Sequence, residues 1–184
     1  MTEQPKIVPG LADVPVAESA ISFIDGRRAR LEYRGYAVET LARDSGFEES
    51  SWLLLKGDLP RQRDRSQFDH QLGHRRLKYK LIEMLKCLPE SGHPMDALQA
   101  GVAAMGMFYP ARNVADPKSN WESTIRLIAK LPTIVTAFHR LRNGDGPLTP
   151  RDDLSHPANT LDAHREGAVA GCHPRPRRLP DPAR

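Results

Sequence analysis

Strict alternation of apolar and polar positions marks one stretch of this chain. Between residues 18 and 36, Ile21, Phe23, Leu31 and Tyr33 alternate with polar partners around Asp25-Gly26, a period-two pattern that predicts a β-hairpin. Beyond it the apolar residues recur every three or four positions, the spacing of helices that bury one stripe. A short helix around Val38, Leu41 and Ala42 is expected to stop at Gly46, and a second, carrying Trp52, Leu54 and Leu55, near Gly57. Between Arg61 and Leu88, the positions Phe68, Leu72, Leu77, Leu81, Met84, Leu85 and Leu88 predict one amphipathic helix or two.

Pro94 suits the first turn of the next helix and Asp96 its positive end, with Leu98, Val102, Met105 and Phe108 forming one stripe. Gly101, Ala103, Ala104 and Gly106 let another helix approach closely, either within the chain or across a homodimer built on helix 94–108. Ser119 with Glu122 reads as a capping box. It opens a long helix through Trp121, Ile125, Ile128, Leu131, Val135, Phe138 and Leu141, kinked at Pro132 and ended by Gly144 and Gly146. Residues 143 to 157 read as a polar loop returning to the body. The expected architecture is all-α with a small N-terminal β-hairpin.

Composition agrees with a folded domain: of 184 residues, 39% are hydrophobic and 27% charged, which excludes a disordered polyelectrolyte. Lys and Arg number 27 against 23 Asp and Glu, a net charge of +4. Half of that excess lies in residues 162 to 184, so the body has no clustered basic surface for nucleic acid or anionic lipid. Cys87 and Cys172 are too few for a disulfide framework, and no segment reads as a leader or a membrane span. A cytoplasmic protein is expected, with no membrane partner.

The residues that invite chemical roles have plainer readings. His70, His74 and His93 lack the flanking glutamate or third ligand in register that a metal site needs, so no metal ligand is assigned. His93 is expected in the turn before Pro94, and His139 at a helix end, where a protonated ring suits the dipole. Cys172 with His173 lies in a Pro/Arg-rich tail without a scaffold, and Arg175, Arg177 and Arg178 lack interleaved aromatic residues. Gly144-Asp145-Gly146-Pro147 reads as a turn, since Pro147 has no amide to offer a phosphate.

Five segments, in order, resemble the citrate synthase family. They are Ala20-Ile21-Ser22-Phe23-Ile24-Asp25-Gly26 with Leu31-Glu32-Tyr33-Arg34-Gly35-Tyr36; Phe47-Glu48-Glu49 with Leu53-Leu54 and Gly57-Asp58-Leu59-Pro60; His93-Pro94-Met95 with Leu98; Arg126-Leu127-Ile128-Ala129-Lys130-Leu131-Pro132-Thr133-Ile134; and Asp153-Leu154-Ser155-His156 with Asn159. Within them, Arg28-Ala29 stands where a glycine is expected before the second strand, and Gln99-Ala100-Gly101 replaces a more polar helix start. The resemblance runs from about residue 10 to residue 161 and covers about half of what a complete member would contain.

What the resemblance implies is the helical large-domain part of a homodimeric enzyme that condenses acetyl-CoA with oxaloacetate to citrate and CoA. In that family a histidine and an aspartate enolise the acetyl group, a second histidine polarises the ketone, and arginines hold the carboxylates. The family's histidines lie in a His-Gly-Gly-Ala-like and a Gly-His-Arg-like segment beyond the resembling region, and neither is read in this chain. No catalytic, cofactor-binding or metal residue is therefore assigned. A relative making methylcitrate from propionyl-CoA, or a non-catalytic helical dimerisation module, are the alternatives.

Residues 162 to 184 contain four prolines and few large apolar groups, and are expected to form a disordered tail unrelated to the family. Read from the second base of the Asp162 codon, the genetic code permits Met-Leu-Thr-Gly, which resembles the family's continuation. A frameshift is the expected origin of the tail. Loss of the following half is expected to leave apolar helix faces uncovered and the chain poorly soluble.

Overall fold

The computed structural model describes residues 17–110 and 115–164, with 10, 14 and 113 besides. Three short antiparallel strands come first: β1 (Ser22–Asp25), β2 (Arg30–Tyr33) and β3 (Tyr36–Ala37), in spatial order β1-β2-β3. Asp25 pairs with Arg30, so the turn holds four residues rather than pivoting on Asp25-Gly26. The Asp25 carboxylate closes it by accepting the amides of Arg27 and Arg28 at 3.1 and 3.2 Å. Ala29, standing where the family resemblance leads one to expect glycine, takes φ +50°. The third strand was not expected; it arises because Arg34 and Gly35, at φ +51° and +86°, turn the chain straight back onto β2.

Seven helices follow among the described residues: α1 (Val38–Asp44), α2 (Phe47–Lys56), α3 (Gln62–Leu72), α4 (Tyr79–Lys86), α5 (Pro94–Phe108), α6 (Pro117–Arg142) and α7 (His156–His164). The helical body with a small sheet is thus present, and the stretch from Arg61 to Leu88 resolves into two helices. Gly57 ends α2 at φ +97°, its amide bonded to the Leu53 carbonyl at 2.8 Å. The cap of α6 differs from the expected Ser119/Glu122 box. Asp116 accepts the amides of Lys118 and Ser119 at 3.3 and 3.0 Å, and Pro117, whose missing N–H costs nothing there, occupies the first turn.

Helix α6 is the organising element, packing against α3, α4, α5 and α7. It runs unbroken through Pro132, with the Thr136 hydroxyl donating to the Pro132 carbonyl at 3.0 Å. One buried cluster joins it to α4 and α5 through Leu81, Leu85, Met105, Ile134 and Ala137. A second joins it to α3 through Phe68, Leu72, Ile125 and Ala129, with Trp52 and Trp121 packed edge-on beside them. The small residues of α5 serve this interior first: a Cβ on Gly101 would lie 2.9 Å from Ile134 Cγ2, so glycine sets the distance between α5 and α6.

The segment after α6 was expected to remain a loop through Pro157 and to yield to a proline-rich tail after Leu161. Instead α7 begins at His156 and continues to His164. The four tail prolines begin only at Pro174, so they place no restriction on Asp162, Ala163 or His164. Residues 165–184, with Cys172, His173, Arg175, Arg177 and Arg178, lie outside the described residues.

Candidate functional site

Where α2, α3, the link into α4 and the segment before α7 meet, polar residues are buried together. Arg75 is 7% exposed and donates Nη1 to the carbonyls of Arg151 and Leu154 at 3.2 and 3.0 Å. His156, 4% exposed, stacks on Phe47 with ring centroids 4.8 Å apart, and its amide donates to Glu48 Oε1 at 3.0 Å. Glu48 therefore satisfies an orphan amide at the start of α7 from 108 positions away in sequence. Burial, then the neighbouring Arg75 charge, holds the His156 imidazole below its ordinary pKa, while Glu48 opposes.

Outside this knot lies a cleft of about 680 Å³ bordered by Glu48, Asp69, His70, His74, Arg75 and Asp152 among others. Its charges are largely paired within the wall. Arg65 meets Glu49 at 2.7 Å and Asp69 at 3.8 Å, and Arg151 grips Asp153 with bonds of 3.0 and 2.6 Å. Burial, reinforced by Glu48, pushes the Asp69 carboxyl above the ordinary carboxylate value, while Arg65 pulls the other way. The cleft offers hydrogen-bonding groups already engaged with one another.

A second pocket of about 280 Å³, lined by Gln71, His74, Tyr109, Trp121, Arg126 and Lys130 among others, opens on the other side of the link. Its cations rest on aromatic faces: Lys78 Nζ lies 4.5 Å and Arg126 Cζ 4.3 Å from the Tyr109 ring centre. The helical repeat puts Arg126 and Lys130 on one side of α6, one turn apart.

The histidines weighed in the sequence have distinct places. His93 caps α5, its Nδ1 accepting the Met95 amide at 3.2 Å, whereas His70 and His74 sit edge to face at 5.1 Å. Among the described residues no group of three or more His, Cys, Asp or Glu is arranged to hold a metal ion. His139 corrects the expectation of a favoured protonated ring: burial first, then His164 4.1 Å away and Arg142 and Arg140, lower its pKa despite the helix end. The turn that closes α6 lies at Asn143-Gly144, one residue earlier than expected, with Gly144 at φ +82°; beyond it the Gly146 carbonyl accepts Arg140 Nε at 2.7 Å.

Residues 10–179 match the family model described as citrate synthase, C-terminal domain. The chain belongs to the citrate synthase family. It is 46% identical over 162 residues to the citrate synthase of Synechocystis sp., covering 88% of this chain and 41% of that protein. It is 34% identical over 160 residues to the 2-methylcitrate synthase of Mycobacterium tuberculosis, covering 86% of this chain and 40% of that one. The crystal structure of citrate synthase from Pyrobaculum aerophilum matches with a TM-score of 0.78 and 35% identity, over 89% of this chain and 44% of that chain. The chain thus spans about two fifths of the length of the curated relatives it matches.

Within this member of the citrate synthase family, Gly73-His74-Arg75 does spell the tripeptide expected only beyond the resembling region. The wording is coincidental to the fold: Gly73 ends α3, His74 Nδ1 lies 3.1 Å from the His70 carbonyl, and Arg75 is spent on carbonyls. Sequence reasoning named Glu48, Lys130 and His156 only as parts of the resembling segments, with no role, and did not name Arg75. Lys130 carried a signal, since it falls one turn after Arg126 on a helix whose neighbouring positions Ile125 and Ala129 are core; the other three are united only by tertiary contact.

Proposed function

We propose that this chain supplies the helical scaffold of an enzyme that condenses acetyl-CoA with oxaloacetate, without itself carrying the proton-moving and carboxylate-gripping groups. The family membership supports the reaction class, and the 46% identity to the Synechocystis citrate synthase is the observation that carries it. Enolising a thioester needs a base and an electrophile aimed at the same acetyl group. Among the described residues Arg65, Arg75 and Arg151 are already bonded within the chain, which supports the reading that these groups do not grip a carboxylate substrate. Formation of methylcitrate from propionyl-CoA is the second reading, favoured by the relative of that name.

The scaffold pairs with a second copy through α5. Its inner side is spent on Ile134, but Met95, Ala103, Gly106 and Met107 face outward, Met107 with 84% of its surface exposed, and a side chain at Gly106 would meet nothing. Sedimentation of the purified chain checks this: a dimer is expected, and a monomer at every concentration contradicts it. A cytoplasmic site of action fits the same reading. The decisive assay follows CoA release from acetyl-CoA and oxaloacetate with a thiol reagent. No turnover above background is expected from this chain, and turnover contradicts its proposed emptiness.

A further inference from the structure

Among the described residues Lys130 is the buried lysine, 7% exposed, and it has been given no chemical role so far. A buried ammonium is normally matched by a carboxylate, because the bare charge loses its hydration on burial. Here Nζ donates instead to the backbone carbonyl of Arg76, and among the described residues it forms no ion pair. The charged groups around it are mostly of its own sign. Arg126 shares its side of α6 and Lys78 comes from the link before α4, both lodged on Tyr109. His74 and Glu122 complete the titratable groups of the pocket wall. Burial first, then Arg126 and Lys78, lower the Lys130 pKa, which makes its neutral, nucleophilic form easier to reach.

We infer that Lys130 is an acylation site, whose amine takes the acyl group of a small activated donor, an acyl phosphate or acyl thioester, entering the pocket between α3, α5 and α6. The pocket of about 280 Å³ has room for a donor of that size, and the surrounding cations favour one that carries negative charge. In the step, the Nζ lone pair attacks the acyl carbon, a C–N bond forms and the C–O or C–S bond to the leaving group breaks. The phosphate or thiolate departs with the electron pair and takes up the proton shed by nitrogen. The amide product keeps one N–H for the Arg76 carbonyl and discards the unmatched charge. Acylation therefore relieves the site instead of disrupting it, and the modified chain is expected to melt no lower than the unmodified one.

The test is to incubate the full chain separately with acetyl phosphate and with acetyl-CoA at pH 7, then measure acetylation of each lysine by peptide mass spectrometry. Lys130 is expected to be labelled several-fold faster than the exposed Lys80 and Lys118, with a rate that levels off at lower pH than theirs. Labelling by acetyl phosphate alone supports the site and sets the small donor as its substrate; labelling by both supports it and admits the longer donor. Labelling by neither, or a Lys130 rate that tracks Lys80 and Lys118 across the pH range, would overturn the proposal. The readout is independent of condensing activity, so it stands or falls apart from the functional reading above.

Discussion

The cluster on α4, α5 and α6 and the polar knot beneath α7 are both buried, but they hold the chain by different means. The first is made of Leu81, Leu85, Met105, Ile134 and Ala137, groups that stabilise simply by leaving water and filling space. The second is made of Glu48, Arg75 and His156, groups whose burial is unfavourable wherever a polar atom lacks a partner: Arg75 Nη1 and the His156 amide have theirs, whereas Arg75 Nε and His156 Nδ1 do not. The apolar cluster tolerates approximate geometry and fixes where helices lie. The knot demands specific partners, and it ties two distant parts of the chain, α2 and α7, together.

Emptying the apolar cluster should have the largest effect. Leu85 is 1% exposed, and Leu85→Ala is expected to destabilise the chain by about 2–5 kcal/mol through lost transfer energy and a residual cavity, read from urea unfolding. A cost below about 1 kcal/mol would mean that α4 is not packed as described. Breaking the knot should cost less. Arg75→Ala leaves the Leu154 carbonyl without its side-chain donor and the Arg151 carbonyl with Asn159 alone, for a loss of about 1–3 kcal/mol, with protease cutting between α6 and α7 rising in parallel. Loss of stability with no change in cutting there would separate Arg75 from the anchoring of that segment.

Acid sharpens the contrast, because the knot titrates and the apolar cluster does not. The folded state holds the His156 pKa below its ordinary value of about 6.5, so below that pH the unfolded chain binds the proton more readily. Stability is therefore full above about pH 6.5 and declines as pH falls from there through the lower, folded value. His139 is shifted in the same direction and adds to the slope. His156→Phe, which can keep the stack on Phe47, should flatten the dependence of the melting temperature between about pH 7 and 5 relative to the parent chain. An unchanged slope would show that the ring is not held neutral.

The smallest expected effect lies in the sheet, outside both regions. Ala29 pays for a left-handed conformation at φ +50° that glycine adopts freely, and Ala29→Gly should raise stability by up to about 1 kcal/mol. A loss on that substitution would place the residue elsewhere in φ/ψ space.

The same contrast explains what could be read from the chain alone. Apolar stripes such as Phe68, Leu72, Leu81 and Leu85 announce helices because their spacing is local, and Gly57 announces a stop because only it suits the left-handed cap. The cap of α6 went to Asp116 rather than Ser119 because two candidate caps lay three residues apart, and the carboxylate could accept both free amides while Pro117 needed none. The knot was illegible: Glu48 and His156 are separated by 108 positions, and nothing near either of them signals the other. Lys130 looked like one more polar face residue, since its burial depends on the link between α3 and α4 folding over it.

Amide hydrogen exchange of the intact chain tests most directly that α6 is the element around which this scaffold is built. The slowest amides are expected in the central turns of α6, about Ile125 to Phe138, and in the facing turns of α4 and α5, with β1 among the fastest. Exchange in α6 as rapid as in β1 would contradict the account.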